Sequence, residues 1–261
     1  MSSPSTRRRA WALSHFRLAA FLLIWAGPAW AGGIVSLNLC TDQLLVLLAP
    51  ERVAALEPLA RDPALSFVAP RAASLPVVRA DAEAVLQLQP ELVLAGQYGA
   101  QATLALLRAR GARVVLVDEP VDFAGVAKQV GWMAELLGER ARGAALVAEM
   151  WGRLGAVRPR GGTAVLWEAG GWSAGPGGIS DAVLRAAGLR NVGTGGRMGL
   201  EALLARRPDM LVTETAPSFP SLSTDLARHP ALARMRRMEI APMLLACAGP
   251  FSARAAQALS Q

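Results

Sequence analysis

The sequence predicts an α/β protein of two lobes, each with a central parallel sheet flanked by helices, joined by a long backbone helix. Three observations carry this reading. Short β-type apolar runs alternate with helical patterns in two separate stretches of the chain. Between them, residues 123–157 hold only helical pattern. One helix–proline–acid–strand segment also occurs twice at a constant offset of 118 residues. Strands that alternate with helices and are apolar on both faces pair in parallel rather than as hairpins.

In chain order, Ile34-Val35-Ser36-Leu37 reads as the first strand, followed by an apolar helical run from Leu44 to Leu48. Val53 to Leu56 is a second short strand. Leu92-Val93-Leu94-Ala95 is a third, and the helix from Thr103 to Arg110 after it stops at Gly111, a residue suited to a left-handed exit. Val114 to Val117 completes the first lobe, residues 32–122. The bridge, residues 123–157, has one interruption, at Gly138. Trp132 and Trp151 sit at helical spacing within it, which argues for burial. Pro159 and Gly161-Gly162 end it. The second lobe, residues 158–261, has strands at Ala164–Trp167, Met210–Thr213 and Met243–Ala246.

The repeated segment runs from Ala82 to Leu94 and again from Leu200 to Val212. In both, a glutamate (Glu83, Glu201) stands seven residues before a proline (Pro90, Pro208), which is followed by an acid and an apolar strand. A proline cannot continue a helix, so each copy is a short helix, a stop and a buried strand.

Charge and leader belong together. Of 27 basic residues, Arg7, Arg8, Arg9 and Arg17 fall within the first 31 residues, where there are no acids. Without those four, 23 bases face 20 acids, too weak a surplus for a nucleic-acid surface. Residues 1–31 read as an export signal: a cationic start, an apolar stretch from Leu18 to Gly27, and Ala29-Trp30-Ala31 at the cleavage spacing. The stretch is too short for a membrane span, and Thr6-Arg7-Arg8 is a weak twin-arginine signature. The expectation is a soluble, monomeric periplasmic protein beginning near Gly32.

Beyond the leader the only cysteines are Cys40 and Cys247. In an oxidising compartment two cysteines can pair; as thiolates they could instead meet a soft metal. No histidine neighbours either one, so a tetrahedral zinc site lacks ligands, which favours the disulfide.

Taken together, Ile34-Val35-Ser36-Leu37 with Thr41-Asp42-Gln43, the two glutamate segments, the helical bridge, and the run Ile179 to Asn191 with its Gly188-Leu189-Arg190-Asn191 step resemble the cobalamin/iron-siderophore periplasmic binding proteins that feed ABC importers. The resemblance covers about residues 33–261. It implies a rigid helical bridge, a ligand held in the cleft between the lobes, and no cofactor of the protein's own. It also implies that one glutamate per lobe docks onto arginines of the inner-membrane permease subunits, at positions matching Glu83 and Glu201. Family members often carry Ser-Pro-Ser where this chain has Asn38-Leu39-Cys40, and no aromatic stands at Val77 or Gly96, at or near two cobalamin-contacting places. The ligand class is therefore an iron chelate (siderophore or heme) or cobalamin.

Ligands of open α/β sheets bind beyond the carboxyl ends of the strands. The loops there offer Asn38, Cys40 and Thr41, Arg61, Tyr98, Trp167 and Trp172, and Cys247 as binding candidates. Tyr98 is the only tyrosine, and Trp172 is flanked by glycines that leave its ring few packing neighbours. Arg61 could meet a carboxylate of a chelate in bidentate fashion.

A second function class is a secreted serine esterase. Gly171-Trp172-Ser173-Ala174-Gly175 matches the nucleophile-elbow pattern, with His229 and Asp209 or Asp225 as partners. Such an elbow runs directly into a helix, whereas Pro176-Gly177-Gly178 intervenes here.

Overall fold

The structure, a computed structural model, describes residues 32–215 and 226–261; the expected export signal, residues 1–31, lies outside them. The chain forms β1 (Ile34–Ser36), α1 (Leu39–Leu48), β2 (Val53–Ala55), α2 (Ala69–Ala72), α3 (Ala82–Gln87), β3 (Leu92–Gly96), α4 (Gln101–Ala109) and β4 (Val114–Val117). These strands make a four-stranded parallel sheet in the order β2-β1-β3-β4. After the helices α5 (Phe123–Leu137) and α6 (Arg140–Gly155) come β5 (Thr163–Glu168), β6 (Trp172–Ser173), α7 (Ile179–Ala186), β7 (Arg190–Asn191), β8 (Gly196–Arg197), α8 (Leu200–Arg206), β9 (Met210–Glu214), β10 (Arg237–Ile240) and α9 (Ala253–Leu259). The second sheet runs β10-β9-β5-β6-β8, with a parallel β10-β9-β5 core and β7 pairing with β5.

The strands explain the layering. Ile34, Leu92 and Leu94 of the first sheet, and Ala164, Leu166, Met210 and Val212 of the second, share one buried cluster with Val126 and Met133 of α5 and Met150 of α6. The alternate residues turn the other way. Val35 and Val93 pack under α3 and α4 with Val85 and Leu104, and Val165, Trp167 and Leu211 pack with Leu203 of α8. One apolar core thus runs through the helix pair from sheet to sheet, while each sheet has its own outer layer.

The two copies of the repeat match in detail. β3 and β9 span equivalent residues, and each preceding helix is left through a left-handed residue, Gln89 and Arg207, both at φ 46°. Pro90 and Pro208 follow and prevent re-entry to the helix.

Three expectations need correction. The bridge is not one long helix but two folded on each other, broken at the Gly138 interruption the sequence indicates: Gly138, at φ 75°, caps α5, and Glu139 donates its N–H to the Ala134 carbonyl at 2.7 Å, the left-handed ending that glycine favours. Trp132 and Trp151 are exposed, at 44% and 45%. The buried stripe of α5 is Val126, Val130, Met133 and Leu137, and Trp132, one residue off it, is turned about 100° away. Finally, Met243–Ala246 is no strand; Pro242–Leu244 is a 3₁₀ turn, and the strand is Arg237–Ile240 at the sheet edge.

Candidate ligand site

A small pocket of about 60 Å³ lies at the carboxyl ends of β1, β3 and β4. The segment after β1 contributes Asn38, Cys40 and Thr41, the loop after β3 Gln97 and Tyr98, and that after β4 Asp118 and Glu119. Asn38 caps α1: its Oδ1 accepts the N–H groups of Cys40 at 2.9 Å and Thr41 at 3.3 Å, which satisfies donors that the first turn leaves free. Its amide nitrogen lies over Gly96, where a Cβ would stand only 2.9 Å from it, so any side chain there would displace the Asn38 amide. Gln97 donates to Asp118 Oδ1 at 2.5 Å, and the Gln129 side chain of α5 donates to the Asp118 carbonyl. Gln129 Oε1 is buried with no hydrogen-bond partner among the described residues. Tyr98 is 87% exposed and extends over the opening. Beyond Asp118 and Glu119 a further opening of about 370 Å³ is bordered by Lys128 and the exposed Trp132.

Cys40 and Cys247 are joined in a disulfide, Cα to Cα 5.3 Å, across 207 residues of sequence. It brings Ala248 of the carboxy-terminal segment to the pocket wall. Bonded to each other, the two sulfurs offer no thiolate to a metal.

Under this pocket the segment Thr41-Asp42-Gln43 is buried. Thr41 Oγ1 shares a hydrogen bond with Ser36 Oγ at 2.7 Å and donates to the Asn38 carbonyl, so its hydroxyl is occupied internally. Asp42 Oδ2 accepts the Glu57 N–H at 3.2 Å, and Gln43 Oε1 that of Phe67 at 2.7 Å. Burial pushes the Asp42 carboxyl well above its ordinary range; a hydrogen bond with Ser36 and the Glu57 N–H oppose this in part.

The second sheet ends in a row of polar groups. Glu168 of β5 pairs in register with Trp172 of β6, and Trp172 with Arg197 of β8. The β5–β9 register, Trp167 opposite Thr213, sets Glu214 beside Glu168. Burial raises the pKa of both carboxyls, and the Glu168 charge adds to the rise at Glu214. The Glu168–Glu214 pair was not a sequence candidate; its only signal is an acid closing each of two apolar strands.

The remaining candidates separate. Trp172 is 49% exposed on the second sheet, outside the lining of the first-sheet pocket. Trp167 is 2% exposed, and its indole N–H donates to the Met198 carbonyl at 2.9 Å; as an odd-numbered residue of β5 it faces the core layer under α8, not a ligand. Arg61 ends a 3₁₀ turn and donates to the Leu75 carbonyl, outside the pocket lining. Glu83 and Glu201 are exposed second residues of α3 and α8. The esterase pairing is absent: buried Ser173 Oγ shares a hydrogen bond with Thr194 Oγ1 at 2.9 Å, whereas His229 Nδ1 accepts from Ala231 N–H.

Residues 34–236 match the family described as periplasmic binding protein. A cobalamin-binding protein of Halobacterium salinarum is 30% identical over 149 residues, 50% of this chain and 39% of that protein; the match thus spans about two-fifths of the relative. Among solved structures, a periplasmic heme-binding protein of Roseiflexus sp. RS-1 superposes with a TM-score of 0.72 at 23% identity, covering 88% of this chain and 97% of the other. A periplasmic vitamin B12 binding protein of Vibrio cholerae gives 0.62 at 14% identity over 87% and 94%. These likenesses are of fold.

Proposed function

This chain belongs to the periplasmic binding protein family, and we propose that it captures an iron chelate (siderophore or heme) or cobalamin in the periplasm and hands it to the permease of an ABC importer. It is a binding protein and performs no covalent chemistry. The observation that carries the reading is the pocket at the carboxyl ends of the first sheet, walled by Asn38, Cys40 and Tyr98, in a fold whose second sheet ends in Glu168, Trp172 and Glu214. The names of the relatives support the ligand class: one binds heme, one vitamin B12, one cobalamin.

In this reading residues 1–31 direct export, residues 32–122 and 158–261 are the lobes, and residues 123–157 bridge them. Tyr98 and Trp172 contact the ligand from opposite lobes. Glu83 and Glu201, exposed at equivalent places of the repeat, steer and dock the loaded protein onto basic residues of the permease. Release follows from differential affinity: the ligand binds tightly to the free protein and weakly once docking separates the lobes.

Tryptophan quenching against cyanocobalamin, hemin and ferric siderophores tests capture, with Trp172 and Trp132 as the exposed reporters. Saturable quenching by one of them is expected; no response to any of them overturns the chelate reading. Reversing both docking charges, Glu83→Lys with Glu201→Lys, should abolish uptake and leave the dissociation constant unchanged. Undiminished uptake in that variant removes the docking role.

A further inference from the structure

A separate cavity of about 220 Å³ shares no lining residue with the ligand pocket. It opens at the far end of α1, between α2, α6 and the start of α9. Its floor is apolar: Leu47, Val68, Met150 and Phe251 are each at most 8% exposed, and Phe67 stacks on Phe251 with ring centroids 4.8 Å apart. Its rim is cationic, with Arg71, Arg153 and Arg254.

One acid, Glu149, stands among them. Arg153 donates to it at 2.9 Å, and Arg254 lies 3.9 Å from the same oxygen while its guanidinium sits 4.7 Å above the Phe67 ring. Arg71 has no ion pair or side-chain hydrogen bond among the described residues. Three guanidinium groups against one carboxylate leave the rim with two uncompensated positive charges. Apolar walls with a few convergent polar groups are the usual make-up of a small-molecule site, and a guanidinium presents a planar fork suited to a carboxylate.

We infer that this cavity is a second binding site, for a small organic anion with a carboxylate head and an apolar body. The body lies on Phe67, Met150 and Phe251, and the head meets Arg71 and Arg254. The inference does not depend on the identity of the transported ligand.

The test is a titration with anilinonaphthalenesulfonate, an anionic dye that fluoresces in apolar surroundings, followed by displacement with decanoate, decanol or decyltrimethylammonium. The expected result is one saturable site from which decanoate displaces the dye about tenfold more effectively than either control of the same chain length. Arg71→Glu, at an exposed residue without a partner among the described residues, should weaken the dye about tenfold, and Tyr98→Ala in the ligand pocket should leave it unchanged. Equal displacement by all three compounds, full affinity in Arg71→Glu, or loss of the site in Tyr98→Ala overturns the proposal. So does Arg71-dependent sedimentation with phosphatidylglycerol vesicles without displacement by decanoate, since the face would then be a membrane contact.

Discussion

Gly143 of α6 lies against Ala134 of α5 so closely that a Cβ on the glycine would stand 2.3 Å from the alanine Cβ. This contact seats the two bridging helices, whose buried residues belong to the core shared by both sheets. In an isolated helix Gly→Ala gains about 1 kcal/mol. Here the added methyl forces the helices apart, at a cost of about 1–3 kcal/mol. Gly143→Ala is therefore expected to lower stability on balance in urea denaturation. Gly152→Ala, in the same helix with nothing within 4 Å of the new methyl, should raise it by about 0.5–1 kcal/mol. If both substitutions stabilise, the helices do not meet at Gly143.

The two tryptophans of the β5–β6 hairpin should respond in opposite ways. Trp167→Phe removes the N–H that satisfies the Met198 carbonyl and should cost about 1–3 kcal/mol; Trp167→Ala should cost about 3–5 kcal/mol. Trp172→Ala, half exposed, should stay within about 0.5 kcal/mol of the parent and weaken ligand binding instead. A stability loss at Trp172 as large as that at Trp167 would show it to be core.

How far the sequence reveals this arrangement depends on the range of the interaction. The repeat is legible because helix, proline stop and apolar strand are local signals, and β3 and β9 recur at the same offset as Glu83 and Glu201. Periodicity shows that Trp132 lies on a helix but not which stripe the rest of the fold covers, and Trp132 falls one residue outside it. The alternating Arg237, Met238, Glu239, Ile240 reads as surface, yet charge on alternate residues suits the edge strand it forms. Glu168 and Glu214 become neighbours only through strand register, and register between strands far apart in sequence has no local signature.

Stability should depend on pH through Asp42. Because burial holds its folded pKa above the ordinary 3.8, the folded chain keeps a proton that the unfolded chain releases. Its stabilising contribution is full below the ordinary value and declines as pH rises toward the raised one. Asp42→Asn preserves an acceptor for the Glu57 N–H without the charge. The variant should lose less stability than the parent as pH rises above the ordinary carboxylate value of about 4. Glu168 and Glu214, raised for the same reason, contribute with the same sign, so the slope shrinks without vanishing. Parallel pH profiles for parent and variant would mean that Asp42 ionises freely in the fold.

The disulfide between Cys40 and Cys247 closes a loop of 207 residues, and loops of that size lose much entropy in the unfolded state when cross-linked. It also ties the start of α1 to the segment carrying Phe251, whose ring packs on Phe67. Replacing both cysteines by serine should cost about 2–5 kcal/mol. Reductant should bring the parent down to the level of the double variant in thermal or urea unfolding, while the double variant itself ignores reductant. Both forms would retain Phe67, Phe251 and the shared core, so the difference isolates the cross-link from the packing around it. A parent protein equally stable with and without reductant would mean that the bond does not form in solution, and that packing alone holds the carboxy-terminal segment to the pocket wall.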